Sequence, residues 1–589
     1  MIRYPYLDQL DISRTTLDTF KGLNLGERIG DGEFSGMENL CSDDYPVLSP
    51  RKPRGLIGQL QDEGQCLGMH YVPGHGLFTV HRVHKQEGTG VFLSLLKPDG
   101  SFAELAMLSD TPKQFAVMGS QLIIAPDMYR VWLEGSYSAH PLEERWTCKT
   151  GQLTVEMCDT WGNVYDIKTA GTQPPTGAVH RELWLDTGAA GLKQYDATSG
   201  QWITVESTYL RLIGVGDHYF EAGDGITISG MKAGTPGAKL NGSHVLHRVG
   251  QDTLIIPGLL DGVYTQDLQE NPVTFHREVP QMDFLVEAGN RLWGCAKDGH
   301  EIYGCKLGDP TNWNCFQGLS TDSYAATVGT PGGFTGAAVQ GGYPIFYKEG
   351  YRHKVWPSAT GAHQITASPW EGVQQGSGNS VAVLGGTVFY KSPCGVCADD
   401  GGGTVSIGEA LGDIQYRDGI GAVHDGKYYL CLREPDGQHS LFVYDTRRRL
   451  WHRENSSFVG GMCSGNGILY GGIGKDIWDL TGSTGTPEEP PDWVAETGDL
   501  GLELPDRKYI SRLTLRLMLQ PGARLEVLAQ YDREPEWVSL GTVYGTRLGS
   551  FSLPVRPRRC DHLRLQLKGT GKGKLYSITK TLEKGSELP

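Results

Sequence analysis

No stretch of this 589-residue sequence approaches the run of about 18 apolar residues that spans a bilayer. Its start, MIRYPYLDQLDISRTTLDTF, is polar and amphipathic, without the apolar core of a signal peptide behind Met1. Membrane insertion and export are therefore not expected. The 12 cysteines, irregularly spaced, are expected to be thiols in a reducing cytoplasm. Helical periodicity is nearly missing, with one weak pattern near Tyr6 to Phe20. Positive charge is short as well: 53 Lys and Arg face 68 Asp and Glu, a formal balance of −15. The deficit is uneven. From Asp506 to Pro589 there are 16 basic and 8 acidic residues, which leaves the remainder at −23. An acidic body disfavours non-specific grip on phosphate backbones.

Recognisable catalytic patterns are also missing. There is no Gly-x-Ser-x-Gly elbow and no Ser-x-Asp-x-Gly-x-Thr-Trp box. The carboxylate pairs Asp43-Asp44, Asp399-Asp400 and Glu488-Glu489 are adjacent in loops and project differently, unlike a glycosidase pair. Cys394-Gly395-Val396-Cys397 has CxxC spacing. A zinc knuckle needs a second pair, though, and Cys431 and Cys463 stand alone. Cys295, Cys305 and Cys315 read as buried strand residues. In one hairpin His70, His75, His81 and His84 cluster, but alternation puts His81 and His84 on opposite faces, short of a ligand set. The loops Gln374 to Gly378 and Gly569 to Gly573 lack phosphate-loop spacing and read as turns. The expectation is a non-enzyme with no cofactor and no bound metal.

What the sequence does have is glycine, 82 residues, with 31 prolines, scattered between apolar runs with no collagen-like period. Glycine supplies the positive φ that tight hairpins require. From Gly58 short apolar runs alternate with turn signals, as in LGMHYVPGHGLFTVHRV and VFLSLLKPDGSFAEL. The rhythm returns after Phe284 in units of about 40 to 50 residues, the spacing of four-stranded propeller blades. The clearest unit runs Lys427-Tyr428-Tyr429-Leu430, turn Pro435-Asp436-Gly437, Leu441-Phe442-Val443-Tyr444, and closes on Trp451.

The fold class expected is all-β. An extended N-terminal arm (1–57) precedes the first propeller blades (58–134), and an inserted β domain (135–280) interrupts the propeller. The remaining blades (281–480) lead through a Pro-rich acidic linker (481–493) to a C-terminal β-sandwich (494–589). In the sandwich, Leu513, Leu515, Leu517 and Leu519, and later Leu563, Leu565 and Leu567, alternate with polar residues, giving each strand one buried face.

Three runs resemble successive blades of one known family: IYGCKLGDPTNW (Ile302 to Trp313), FTGAAVQGGYPIFYKEGYRHKVW (Phe334 to Trp356) and GVQQGSGNSVAVLGGTVFYKSPCGV (Gly372 to Val396). The family is the tail nozzle, or tail tubular, propeller proteins of short-tailed bacteriophages and related prophages. Gly308-Asp309-Pro310, the Phe346-Tyr347-Lys348-Glu349 strand and the arm residues Gly22, Asn24, Glu38-Asn39 and Arg51-Lys52-Pro53 carry the likeness, with Lys508 to Leu513 after the propeller. The resemblance implies a structural nozzle or hub subunit in the virion tail, assembled in the host cytoplasm. It implies a ring of identical subunits, six in number, below a head-to-tail adaptor or portal-side protein, anchoring tail fibres or spikes and passing genomic DNA without specific binding. No catalytic residue is carried over.

A polar arm without a periodic face is expected to gain order against a neighbouring subunit. Its assembly candidates are Asn24, Glu38, Asn39, Arg51, Lys52 and Arg54, joined by Arg556, Arg558 and Arg559 in the basic C-terminal segment. The rival reading is a glycan-binding or polysaccharide-degrading propeller. The thiol reading is checked directly: elemental analysis of the purified chain should find no stoichiometric zinc, and reductant should leave its thermal midpoint unchanged.

Overall fold

The computed structural model describes residues 12–86, 88–358, 361–504, 507–555 and 558–584. Among them there is no α-helix, only three short 3₁₀ turns, at Pro236–Leu240, Gly378–Ser380 and Glu409–Leu411. Of the weak helical pattern of Tyr6 to Phe20, residues 6–11 lie outside the described residues; in 12–20 there is no helix, and Ile12–Leu17 is a strand paired with Gly573–Lys584. Local propensity yielded there to an open sheet edge.

The protein is all-β and built on propeller blades. Seven antiparallel four-stranded units occur among the described residues, with first strands starting at Gly64, Gln114, Phe284, Gly336, Ala382, Arg417 and Gly461. Their chemistry is local. The opening hairpins of four blades turn on Gly341-Gly342, Gly385-Gly386, Asp425-Gly426 and Asn466-Gly467, with both residues of each pair at positive φ. That is a type I′ turn, whose twist matches the flanking strands. Blades are stapled by aromatic side chains. The Tyr428 hydroxyl donates to Ser380 O at 2.7 Å, Trp451 Nε1 donates to Ile407 O at 2.7 Å, and the Tyr347 hydroxyl donates to Asp399 Oδ2 at 2.8 Å.

The described residues form two compact units. One takes in the described residues of 12–115, 332–354 and 366–584, and the other those of 116–331 and 355–365. The second unit carries the sheets centred on Gln121–Ala125 and Leu292–Cys295, and three further sheets built from strands between Arg145–Cys148 and Val273–His276. The latter share an apolar core of Leu153, Val155, Leu212, Leu254, Ile256 and Phe275. The blade strand Ala139–Pro141 falls inside 135–280, so the inserted sheets begin later than the sequence rhythm suggests.

In the first unit the C-terminal residues form two packed sheets. One orders Ile12–Leu17, Gly573–Lys584, Lys508–Leu519 and Gly549–Leu553. The other runs Glu33–Glu38, Trp493–Thr497, Leu563–Thr570, Arg524–Tyr531, Val538–Val543. Leu513, Leu515 and Leu517 from the first, with Leu563, Leu565 and Leu567 from the second, are buried in one core, as period-two alternation requires. The second sheet continues through Gly22–Leu23, where Leu23 pairs with Trp451, into the blade Arg417–Asn455, making ten strands in all.

The arm is therefore not a free segment seeking a neighbour. Its sparse apolar residues Leu17, Phe20, Leu23, Phe34, Met37, Leu40 and Leu48 are buried in its own chain's core. Gly55–Gln59 pairs with Asp476–Asp479 and supplies the fourth strand of the last blade. The stretch 481–493 is tied down too: Thr486 pairs with Leu56, and Asp479 accepts hydrogen bonds from the N–H groups of Thr481, Ser483 and Thr484. Sequence spacing concealed this because the strand partners of Gly55–Gln59, at Asp476–Asp479 and Thr486, lie some 400 residues away.

Three buried histidines add a titratable element. Burial holds His81, His353 and His452 down at about 4, against 6.5 for a free side chain. His452 sits near the arm, with Lys427, Asp445 and Asp43 around it.

Two outcomes follow. Phe34→Ala, at a site 1% exposed, should cost about 3–5 kcal/mol in equilibrium urea unfolding, more than the arm's polar composition would imply. The histidines bind protons only when unfolded at mildly acid pH, so stability should be full above about pH 6.5 and fall as pH drops toward about 4. His81→Phe should flatten that slope in urea midpoints measured across the range, since neither ring nitrogen of His81 has a hydrogen-bond partner among the described residues.

Candidate functional site

The assembly candidates named from the sequence are for the most part committed within the chain. Asn24 Nδ2 donates to Glu33 Oε2 at 2.7 Å while its Oδ1 accepts from Gly26 N at 2.9 Å, fixing a tight loop. Glu38 is half-buried at the end of its strand, opposite Val494. Asn39 takes positive φ (55°) and donates Nδ2 to Asp492 O at 2.7 Å. Arg51 and Arg54 are buried. Arg51 Nη1 meets Glu488 Oε1 at 2.5 Å, and Arg54 Nη2 meets Glu454 Oε2 at 2.8 Å. These two guanidiniums clamp the arm to the last blades rather than to a partner. Lys52, Arg558 and Arg559 are exposed, and Arg558 pairs with Glu534 at 2.5 Å. Arg556 lies outside the described residues.

In the first unit a cavity of about 180 Å³ opens among first strands of the blades. Gly68, Gly378, Gly421 and Gly461 line it with bare backbone, and Met69, Phe115 and Met462 add apolar surface. Across it Gln114 donates to Asn379. His70 stacks on Phe115 at 5.9 Å, and burial lowers its pKa. Lys113 folds back, its Nζ donating to Ser109 O at 2.7 Å. The lining is mostly glycine backbone and apolar side chain, with the Lys113 ammonium turned onto the Ser109 carbonyl at its edge.

The CxxC pair is split by its hairpin. Cys394 is exposed in the two-residue turn between Ser392 and Gly395, whereas Cys397 is buried opposite Tyr390. Burial pushes the Cys397 thiol up to about 11, and a hydrogen bond to Glu371 raises that of Cys394. Neither is poised as a thiolate nucleophile. In the histidine hairpin, His81 lies edge-on to Phe102 at 5.7 Å, and His84 Nδ1 meets Thr89 Oγ1 at 2.9 Å.

The densest polar constellation lies in the second unit around Arg277, a residue the sequence reading passed over. Its Nη2 meets Asp224 Oδ2 at 2.5 Å, and its Nη1 meets Asp309 Oδ2 at 3.2 Å and Glu144 Oε2 at 3.8 Å. Burial opposes its charge, but the Asp224, Asp309 and Glu144 carboxylates outweigh that and hold the guanidinium above its ordinary value. Asp224, fully buried, also accepts from Asn312 Nδ2 at 2.7 Å. Asp309 accepts from Thr311 N at 2.9 Å and Thr311 Oγ1 at 2.7 Å, and Trp313 Nε1 donates to Pro310 O at 2.8 Å. The Gly308-Asp309-Pro310 run thus grips the inserted sheets. Nothing in the spacing of Arg277 announces this role, because its carboxylates lie 32 to 133 residues away.

Beside this node is a cleft of about 450 Å³ lined by Arg130, His140, Pro141, Glu143, Glu144, Arg145 and Tyr219. Arg130 Nη2 meets Glu144 Oε1 at 3.0 Å, and Arg145 Nε meets Glu143 Oε1 at 2.9 Å. Tyr219 packs over Arg277, its ring centroid 5.4 Å from the guanidinium carbon. Burial, then Glu144, pushes its phenol well above the ordinary value, so the hydroxyl stays protonated.

No family model and no curated protein sequence matches this chain. Among solved structures, similarity extends to an exo-β-1,3-galactanase from Phanerochaete chrysosporium: 9% identity, 50% of this chain and 94% of that one, TM-score 0.21. A puromycin hydrolase is similar over 70% of this chain and 58% of its own, with 11% identity and a TM-score of 0.26. The dihydro-heme d1 dehydrogenase NirN is similar over 53% and 63%, with 12% identity and a TM-score of 0.24. None of these transfers a residue role to this chain.

The Arg277 node makes a quantitative claim. Asp224→Ala leaves a buried guanidinium short of its main partner and should cost about 3–5 kcal/mol by chemical denaturation. Arg447→Ala, which breaks an ion pair with Asp425 between largely exposed side chains, should change stability by less than about 0.5 kcal/mol.

Proposed function

We propose that this chain is a structural subunit of a short-tailed bacteriophage tail, a nozzle or hub protein that assembles into a ring and conducts DNA out of the virion. The observation that carries this reading is the ten-stranded sheet that joins the blade Arg417–Asn455, through the two-residue strand Gly22–Leu23 and Glu33–Glu38, to the C-terminal sandwich. Load applied at one end of such a sheet is borne by main-chain hydrogen bonds along its whole width, a property a scaffold uses and an enzyme does not need. The family likeness of Ile302 to Trp313 and Phe334 to Trp356 supports the same reading. So does the acidic body, which repels phosphate rather than gripping it.

In this reading the ring contacts fall to exposed residues, with Lys52, Arg558 and Arg559 retained as candidates against acidic neighbours, the adaptor above or the fibres beside. The buried arm residues act inside the subunit. Electron microscopy of the purified protein tests the proposal. Rings with an axial pore, six subunits each, are the expected particles, and a monodisperse monomer at micromolar concentration would count against it.

A further inference from the structure

We propose that the cleft bounded by Arg130, Glu143, Glu144, Arg145 and Tyr219 is a binding site for a neutral pyranose sugar. The site belongs to the second unit alone and does not depend on the tail reading. Its volume, about 450 Å³, lies within the range of small-ligand pockets.

The lining fixes the chemistry of the occupant. Two arginines and two glutamates line the cleft beside His140, paired as Arg130–Glu144 and Arg145–Glu143, so the four lining charges cancel. Arg277 also reaches Glu144 from below, and each carboxylate and guanidinium already has a partner. An anion would compete with a glutamate for its guanidinium, and a cation with an arginine for its carboxylate. A polyol does neither. Each of its hydroxyls accepts from a guanidinium N–H and donates to a neighbouring carboxylate, so a side-by-side Arg–Glu pair matches two vicinal hydroxyls.

Tyr219 supplies the apolar half of the match. Its ring is 37% exposed, underlain by Arg277 and held edge-on by Trp146 at 6.3 Å and 88°. A ring so fixed loses little freedom when a sugar face stacks on it. Its protonated hydroxyl adds a donor. The floor is equally rigid: Arg277 N donates to Glu144 O at 3.2 Å, and its guanidinium approaches the Glu144 carboxylate at 3.8 Å. In addition, Nε of the lining residue Arg130 is buried with no hydrogen-bond partner among the described residues, a cost that a polar contact at the cleft would relieve. Because Glu143 and Glu144 are consecutive and each engaged by an arginine, they do not flank a glycosidic bond, and the site binds without cleaving.

The experiment uses the full chain with the methyl pyranosides of glucose, galactose and N-acetylglucosamine as probes, followed by saturation-transfer NMR and calorimetry. At least one should bind, with an affinity that stays level between about 50 mM and about 500 mM salt, as an uncharged ligand requires. Tyr219→Ala should weaken it by about tenfold or more. As Tyr219 also packs on Arg277, Arg145→Ala serves as the second variant: its side chain is 64% exposed, its loss should leave the thermal midpoint in place, and binding should fall at least about fivefold. Failure of all three probes to bind at about 10 mM, where even a millimolar site would be largely filled, would overturn the proposal. Undiminished binding in both variants, or tighter binding of glucuronate or inorganic phosphate than of the neutral sugars, would overturn it as well.

Discussion

The first unit depends on one pairing across the chain: Gly55–Gln59 lies antiparallel to Asp476–Asp479, with Ile477 opposite Gly58. A sheet edge left unpaired is a template for the wrong partner. Here the last blade's outer edge is met by a strand from near the chain's start. The strands just before it, Ile12–Leu17, Gly22–Leu23 and Glu33–Glu38, are held on the sandwich and on the strand Leu450–Asn455. The segment 12–59 is thus threaded through blade and sandwich together, and Arg51 and Arg54 lock it with Glu454 and Glu488. Removing either carboxylate would leave a buried guanidinium without its partner, which is far more costly than the pair itself is stabilising.

The second unit is organised by charge as much as by apolar packing. Its inserted sheets have a conventional core, but their junction with the blade region is made by Arg277, Asp224, Asp309 and Asn312. A buried node of this kind contributes little net free energy when whole. What it does is hold Asp224, Asp309 and Asn312 at one point, each by a hydrogen bond or ion pair that would be left unmade if a partner moved away. The same hold extends outward, because Glu144 touches Arg277 on one side and Arg130 on the other, and so holds the walls of the neighbouring cleft.

Each device ties together, within its own unit, parts of the chain that are distant in sequence. A continuous sheet resists tension along its ladder, and a satisfied ion node resists shear at a junction. The cavity among the blade strands is lined by glycine backbone and by Met69, Phe115 and Met462, with Lys113 and His70 at its polar side.

The sequence by itself determined what is local. Period-two alternation in Leu513 to Leu519 and Leu563 to Leu567 specified strands with one buried face, and paired turn residues such as Asp425-Gly426 and Asn466-Gly467 specified hairpins, because side-chain direction and φ are settled within a few residues. It did not reveal that the polar arm is core, since each of Leu23, Phe34 and Leu40 finds its cover in strands hundreds of residues on. Nor did it mark Arg277 or the Arg–Glu pairs of the cleft, whose positions carry no spacing signal. Burial and ion pairing are properties of the environment around a side chain. Only the tertiary structure, by bringing distant segments within a few ångströms, decided which charged residues would be locked inside and which would line an open cleft.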